Sequence, residues 1–267
     1  MLRTRILSAV IFGPIAIAMI WAGGWWLFAG TLLVAEVAGY ELGQLMRRGG
    51  YLPLTWLILA LIATAVLGAH FPALGLVVPA VTWLLILSIS WQLFQAQDPA
   101  PATNWALSVA GGLYVGLLAA HLILIRALPA GLAWTVLALT LTWGGDTAAY
   151  FLGRAIGRHK LSLRLSPGKT WEGFFAGLVA CLLIGALVGY LALRQAGAIG
   201  PVHGLAVGLV TGVLGVFGDL AVSMIKRQVK AKDSSNIIPG HGGVLDRMDS
   251  LLFNIVATYY YAVWIVG

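Results

Sequence analysis

The segment from Ser223 to Asp249 gathers side chains capable of chemistry more densely than any other part of the chain. Within 27 residues it holds five Lys or Arg, three Asp, one His and a Gly-Gly pair, in a chain that is 60% hydrophobic and only 9% charged. In membrane-embedded sequence ionisable groups are costly, so a mixed-charge block beside apolar runs marks a functional site. Ammonium and guanidinium groups near helix ends, carboxylates able to hold a cation and a Gly-rich turn together suit a polyphosphate handled on a metal ion.

The acidic residues are unevenly placed. Of nine in the chain, Asp146, Glu172, Asp219, Asp233, Asp246 and Asp249 all follow residue 140. Asp146 and Asp219 fall inside apolar stretches, where a carboxylate costs about 2.5–3.5 kcal/mol on insertion scales. A proton, a basic partner or a hard cation such as Mg²⁺, which takes one or two carboxylates plus waters and substrate phosphates, offsets that cost. On a helix, Asp219, Ser223 and Lys226 lie within about 60° of one another and form one stripe. Asp246 and Asp249 point the same way if the last helix begins near residue 246, a position that equally suits capping of that helix. Glu36 and Glu41 fall on different faces of the second apolar stretch. The nearness of Glu41 to Arg47 and Arg48 predicts an ion pair. His70 and His121 are given no role.

A second motif, Ser166-Pro167-Gly168-Lys169-Thr170-Trp171-Glu172-Gly173, contains Gly-Lys-Thr without being a P-loop. The position five residues before Gly168 is Leu163 rather than Gly, and no strand is expected before it. What remains is a Gly-flanked lysine near a helix start, where backbone N–H groups and an ammonium can hold phosphate oxygens. Arg154, Arg158, Lys160 and Arg164 either share that work or anchor the membrane face. His241-Gly242-Gly243 offers an imidazole and bare N–H groups to phosphate, or is simply a structural turn.

These groups must be positioned by membrane helices. With a mean hydropathy of +0.94 and eleven Trp, the chain reads as all-α, a polytopic transmembrane helical bundle. Its long continuous apolar runs exclude a β-barrel. Nine spans are expected, about 6–22, 25–45, 54–69, 72–92, 105–125, 130–152, 173–193, 203–224 and 249–266. With the N-terminus cytoplasmic and the C-terminus outside, fourteen of the sixteen Lys plus Arg fall inside, and only Arg126 and Arg194 fall outside. An uncleaved first span fits this orientation better than a secretory signal peptide. Residues 1–267 then form a single integral membrane domain, with spans in 1–126 as a lipid-facing scaffold and 127–267 carrying the site. Trp21, Trp25, Trp26, Trp91, Trp105, Trp171 and Trp264 lie near span ends, as in an interfacial belt. Gly204, Gly208 and Gly212 make a small-residue stripe that suits either internal packing or a homodimer seam. The single Cys181 sits in an apolar run, so no disulfide or Cys-based metal site is expected.

The Ser223–Asp249 segment resembles the C-terminal signature of phosphatidate cytidylyltransferases, also called CDP-diacylglycerol synthases. Ser223, Lys226, Arg227, Lys232, Asp233, Pro239, His241, Gly242, Gly243, Asp246, Arg247 and Asp249 match it with every spacing kept. Asp146 through Arg154, the stretch from Ser166 to Gly173, and the Arg-rich start followed by Glu41 also resemble that family. The resemblance implies that CTP and phosphatidic acid react to give CDP-diacylglycerol and pyrophosphate, with Mg²⁺ and a second cation at a paired centre. It implies Asp219 and Asp246 as leading cation ligands, with Asp249 near them. Lys226, Arg227 and Arg247 would neutralise phosphates, Lys169 and His241 would touch the triphosphate, and Asp146, Ser223 and Glu172 would line the pocket. Membrane lipid is the expected partner and nucleic acid is not. The expected location is a bacterial inner membrane, with the site facing the cytoplasm.

The main rival is an ion-coupled secondary transporter, whose site would lie near the midplane in an inverted repeat. Here the charged groups converge at one face. A CDP-alcohol phosphotransferase would need an Asp-x-x-Asp-Gly stretch, which is absent.

Overall fold

The computed structural model describes residues 13–196, 199–238 and 242–267. Among these, α1 covers Gly13–Ala22, α2 Gly24–Arg48, α3 Thr55–His70, α4 Val77–Gln92, α5 Pro101–Ala127 and α6 Gly131–Ile156. After a hairpin come α7 (Trp171–Ala196), α8 (Pro201–Gln228) and α9 (Leu245–Tyr261), which runs on into a π-helical turn at Ala262–Val266. Each expected span falls on one of these helices. Four segments, Pro101–Ala127, Trp171–Ala192, Pro201–Gln228 and Leu245–Val266, are long and apolar enough to cross a membrane by length and composition. The protein is therefore predominantly helical and of membrane type.

Backbone chemistry explains the breaks. Pro101 and Pro201 open α5 and α8, where a missing N–H costs nothing. Arg47 and Arg48 close α2 and complement the negative end of its dipole.

Chain packing divides the molecule into two compact units. One takes in the helices through Leu124 together with Lys226–Asp246; the other comprises Ile125–Ile225 and Arg247–Gly267. In the first unit, Leu42 and Leu45 of α2 and Leu57, Ile58, Leu61 and Ile62 of α3 are almost fully buried. Near them, Gly112 and Gly116 let the α5 backbone approach α3 closely. At one end, His70 stacks on Phe28 with ring centroids 4.6 Å apart.

In the second unit α6 packs along α7, burying Leu137 and Leu141. The Gly204, Gly208 and Gly212 stripe faces α7: a Cβ at Gly204 would overlap the Gly185 carbonyl, and one at Gly208 the Cys181 carbonyl. The stripe thus serves internal packing. Cys181 is buried beside it, its thiol 3.4 Å from the Leu141 carbonyl.

One expectation needs correction. The segment between α6 and α7 is not a plain loop but an antiparallel hairpin, β1 Lys160–Ser162 with β2 Ser166–Thr170, pairing Lys160 with Thr170 and Ser162 with Ser166. A strand therefore does precede Gly168, yet Gly-Lys-Thr itself lies within β2 rather than in a phosphate-wrapping loop. Thr170, buried at the strand's end, accepts from the Gly173 N–H at 3.1 Å and so caps α7.

Candidate active site

In the second unit, the side chains of chemical interest come from α6, β2, α8 and α9. The Lys169 ammonium on β2 lies 2.7 Å from Oδ2 of Asp219 on α8. The Ser223 hydroxyl, one turn further along α8, donates to Asp219 Oδ1 at 3.2 Å. Asp146 of α6 hydrogen-bonds Ser250 and lies within electrostatic reach of Lys169, Asp219 and Arg247. The Asp249 carbonyl packs against Gly218, where any side chain would collide with it. That close approach brings the start of α9 against α8 beside Asp219, and only glycine permits it. Asp249 Oδ1 accepts the Ser250 N–H at 2.7 Å.

Below Asp146 a cavity is lined by Thr142, Gly145, Cys181, Thr211 and Asn254, among others. Asn254 donates to the Thr142 hydroxyl at 2.9 Å, so α6 and α9 are joined by two polar pairs, Asp146 with Ser250 and Thr142 with Asn254. Both pairs follow the four-residue spacing of one helix face.

In the first unit, α9 begins at Leu245, so Asp246 lies in its first turn, as the spacing required. Asp246 is a hub of donors. Its Oδ1 takes the Lys226 ammonium at 2.6 Å, and its Oδ2 takes the Ser234 N–H at 2.8 Å, the Ser234 hydroxyl at 3.0 Å and the Gly243 N–H at 3.1 Å. Lys226 and Asp246 are both buried. Arg227, by contrast, turns back to the Ala231 carbonyl at 3.0 Å and closes the end of α8.

Glu41 does not pair with Arg47 or Arg48. It is 1% exposed and accepts hydrogen bonds from the segment before α9 instead. Arg48 reaches the Ser234 carbonyl at 3.4 Å. Glu172 accepts from the His159 ring at 2.7 Å and from the His159 N–H, and so pins the base of the hairpin. Arg247 is exposed at the start of α9. His241 lies outside the described residues.

The sequence did not single out Ser234, Ser235 or Ser250. The serines beside Asp233 and Asp249 were the available signal, since hydroxyls next to structural carboxylates commonly satisfy them.

The oxygen donors present fit a hard cation in part. Asp219 and Asp146 supply carboxylates and Ser223 a hydroxyl, and Mg²⁺ needs no more than one or two carboxylates when phosphates complete its shell. Asp246 retains acceptor capacity only on Oδ1, because three donors already crowd its Oδ2. Among the described residues, no three His, Cys, Asp or Glu side chains are grouped to hold a metal by themselves. A cation here would therefore depend on phosphate oxygens for the rest of its coordination.

Apolar helices of membrane-crossing length, with ammonium–carboxylate pairs set among them, define an integral membrane enzyme that handles strongly anionic groups. The chain belongs to the cytidylyltransferase family, whose model matches residues 3–265. It is 34% identical over 266 residues to a phosphatidate cytidylyltransferase of Brucella suis, covering 97% of this chain and 93% of that protein. A phosphatidate cytidylyltransferase of Synechocystis is 31% identical over 97% of this chain and 96% of its own length. One from Pseudomonas aeruginosa is 33% identical over 94% and 93% respectively.

Proposed function

We propose that this chain transfers the cytidylyl group of CTP to phosphatidic acid, giving CDP-diacylglycerol and pyrophosphate for phospholipid synthesis. The observation that carries this reading is the match to curated relatives over nearly the whole chain, including the signature lysine and aspartate that form the buried Lys226–Asp246 pair.

In the reaction, a phosphate oxygen of phosphatidic acid attacks the α-phosphorus of CTP. A new P–O bond forms there, the bond to the β-phosphate oxygen breaks, and pyrophosphate leaves with the electron pair. A phosphate monoester is already nucleophilic near neutral pH, so no general base is required. The demand on the protein is positioning and charge neutralisation. Lys169, Lys226, Arg227, Arg247 and His241 would meet phosphate oxygens, with Lys169 leaving Asp219 and Lys226 leaving Asp246 Oδ1 as they turn to substrate. Asp219, Asp246 and Asp249 would then be available as cation ligands, Asp146 and Ser223 would fix the Asp219 side, and Glu172 would hold the hairpin that carries Lys169. Mg²⁺, with or without a second cation, supplies neutralisation of the attacking and leaving oxygens when bound.

The charge bias supports nine spans with the N-terminus in the cytoplasm and the C-terminus outside, which puts these groups on the side where CTP is found. The bacterial relatives support an inner-membrane location.

The test is pyrophosphate release by the purified protein. Release should require CTP, phosphatidic acid and Mg²⁺ together. Release that ignores the lipid, or none at all from well-folded protein, would sink the reading.

A further inference from the structure

Glu41 sits inside α2 with no Lys, Arg or His within ion-pair distance among the described residues. A buried carboxylate without a basic partner is tolerable only when hydrogen bonds replace its water. Here four donors do so, two on each oxygen. Oε1 takes the Ser235 hydroxyl and the Val244 N–H at 3.0 Å. Oε2 takes the Ser234 hydroxyl at 3.1 Å and the Leu245 N–H at 2.9 Å. All four donors belong to the segment from Ser234 to Leu245, about 200 residues away in sequence.

Two of those donors are the backbone N–H groups that open α9. A helix start presents N–H groups with no partner in its own helix, at the positive end of its dipole. Glu41 therefore caps α9 from another helix, and the dipole in turn stabilises its negative charge. Asp246 satisfies the Gly243 N–H from within the same turn. Between the two carboxylates stands the Ser234 hydroxyl, 3.1 Å from Glu41 Oε2 and 3.0 Å from Asp246 Oδ2. With the Lys226 ammonium on Asp246 Oδ1, a continuous hydrogen-bonded chain runs Glu41, Ser234, Asp246, Lys226. Gly243 closes this arrangement: a Cβ there would overlap the Ser234 hydroxyl and the Glu41 carboxylate.

We infer that Glu41 is a positioning residue for cytidylyl transfer, clamping the segment from Ser234 to Leu245 and, through Ser234, fixing the Asp246 carboxylate and the Lys226 ammonium. This rests on the proposed reaction for its catalytic consequence, but the clamp itself can be read without turnover. Glu41 needs no contact with substrate. Its role requires acceptors on both oxygens, which glutamine lacks, since its NH₂ would face two donors.

The experiment compares full-length wild type with Glu41→Gln, Ser234→Ala and the double variant in detergent or lipid nanodiscs. Turnover of CTP with phosphatidic acid is measured alongside hydrogen exchange and thermal unfolding. Glu41→Gln should lower kcat about 10–100-fold, with a smaller change in KM for CTP. Amide exchange should quicken at residues 234–246, while the helices of the second unit keep wild-type protection. The double variant should lose much less than the product of the two single losses, because both break one chain.

Turnover within twofold of wild type in Glu41→Gln would overturn the inference, as would exchange raised evenly through the protein. Should Glu41→Gln fail to fold, Ser234→Ala decides: normal turnover there overturns it equally. A wild type with no lipid-dependent turnover would count against the reaction alone, and the exchange pattern would still test the clamp.

Discussion

The Lys169 ammonium lies 2.7 Å from the Asp219 carboxylate, so a lysine from the hairpin stands where a cation would be expected to sit. Both side chains are partly open, at 22% and 30% exposure, so the pair can exchange partners. Lys169 and a divalent ion then compete for Asp219 until a triphosphate arrives to take the ammonium. Lys169→Ala should bind Mg²⁺ alone more tightly than wild type in titration calorimetry, yet lose about 10–100-fold in kcat/KM for CTP. Unchanged Mg²⁺ binding would show that the ion does not use Asp219.

Lys226 and Asp246 form a different kind of pair, with only 11% and 5% of the side chains exposed. Removing one member of a buried pair leaves an uncompensated charge, at a cost of about 3–5 kcal/mol. Asp246→Ala also strands the Ser234 and Gly243 N–H groups. It should lower the unfolding temperature well beyond the change in Asp219→Asn, where the group is more open. Equal shifts in thermal denaturation would contradict the burial argument.

Much of this was legible in the sequence, for reasons that differ from residue to residue. Helices were readable because apolar runs of this length admit little else in a bilayer. The α8 stripe of Asp219, Ser223 and Lys226 followed from a local period, and α8 remains helical through Gln228 as that stripe requires. The hairpin escaped because strands of three and five residues carry no readable alternation, and their pairing depends on register rather than composition. Glu41 was misread for a related reason. Its nearest charges in sequence are Arg47 and Arg48, but its donors come from the segment before α9, and sequence distance says nothing about such a pairing.

Thr142 and Asn254 offer a test away from charge. Their hydrogen bond joins α6 to α9 beside the Asp146 cavity, and Asn254 Oδ1 is already buried without a donor among the described residues. Thr142→Val keeps the shape but strands the Asn254 amide, and should cost about 1–3 kcal/mol. Replacing both residues by apolar ones, Thr142→Val with Asn254→Leu, should recover part of that loss if the polar pair is structural. A double variant no more stable than Thr142→Val would mean that Asn254 has another use in the cavity.

The hairpin tip tests the orientation directly. Leu163 is 74% exposed between Lys160 and Arg164, so a thiol placed there would meet solvent or the lipid headgroups. The native Cys181 is the sole cysteine of the chain and is 3% exposed, which makes it a poor target for a bulky reagent. Leu163→Cys should therefore react with a membrane-impermeant maleimide in inverted vesicles and stay unlabelled in intact spheroplasts. The reverse pattern would place the hairpin outside, away from CTP. Because Lys169 lies on the second strand of the same hairpin, that result would remove it from the triphosphate as well.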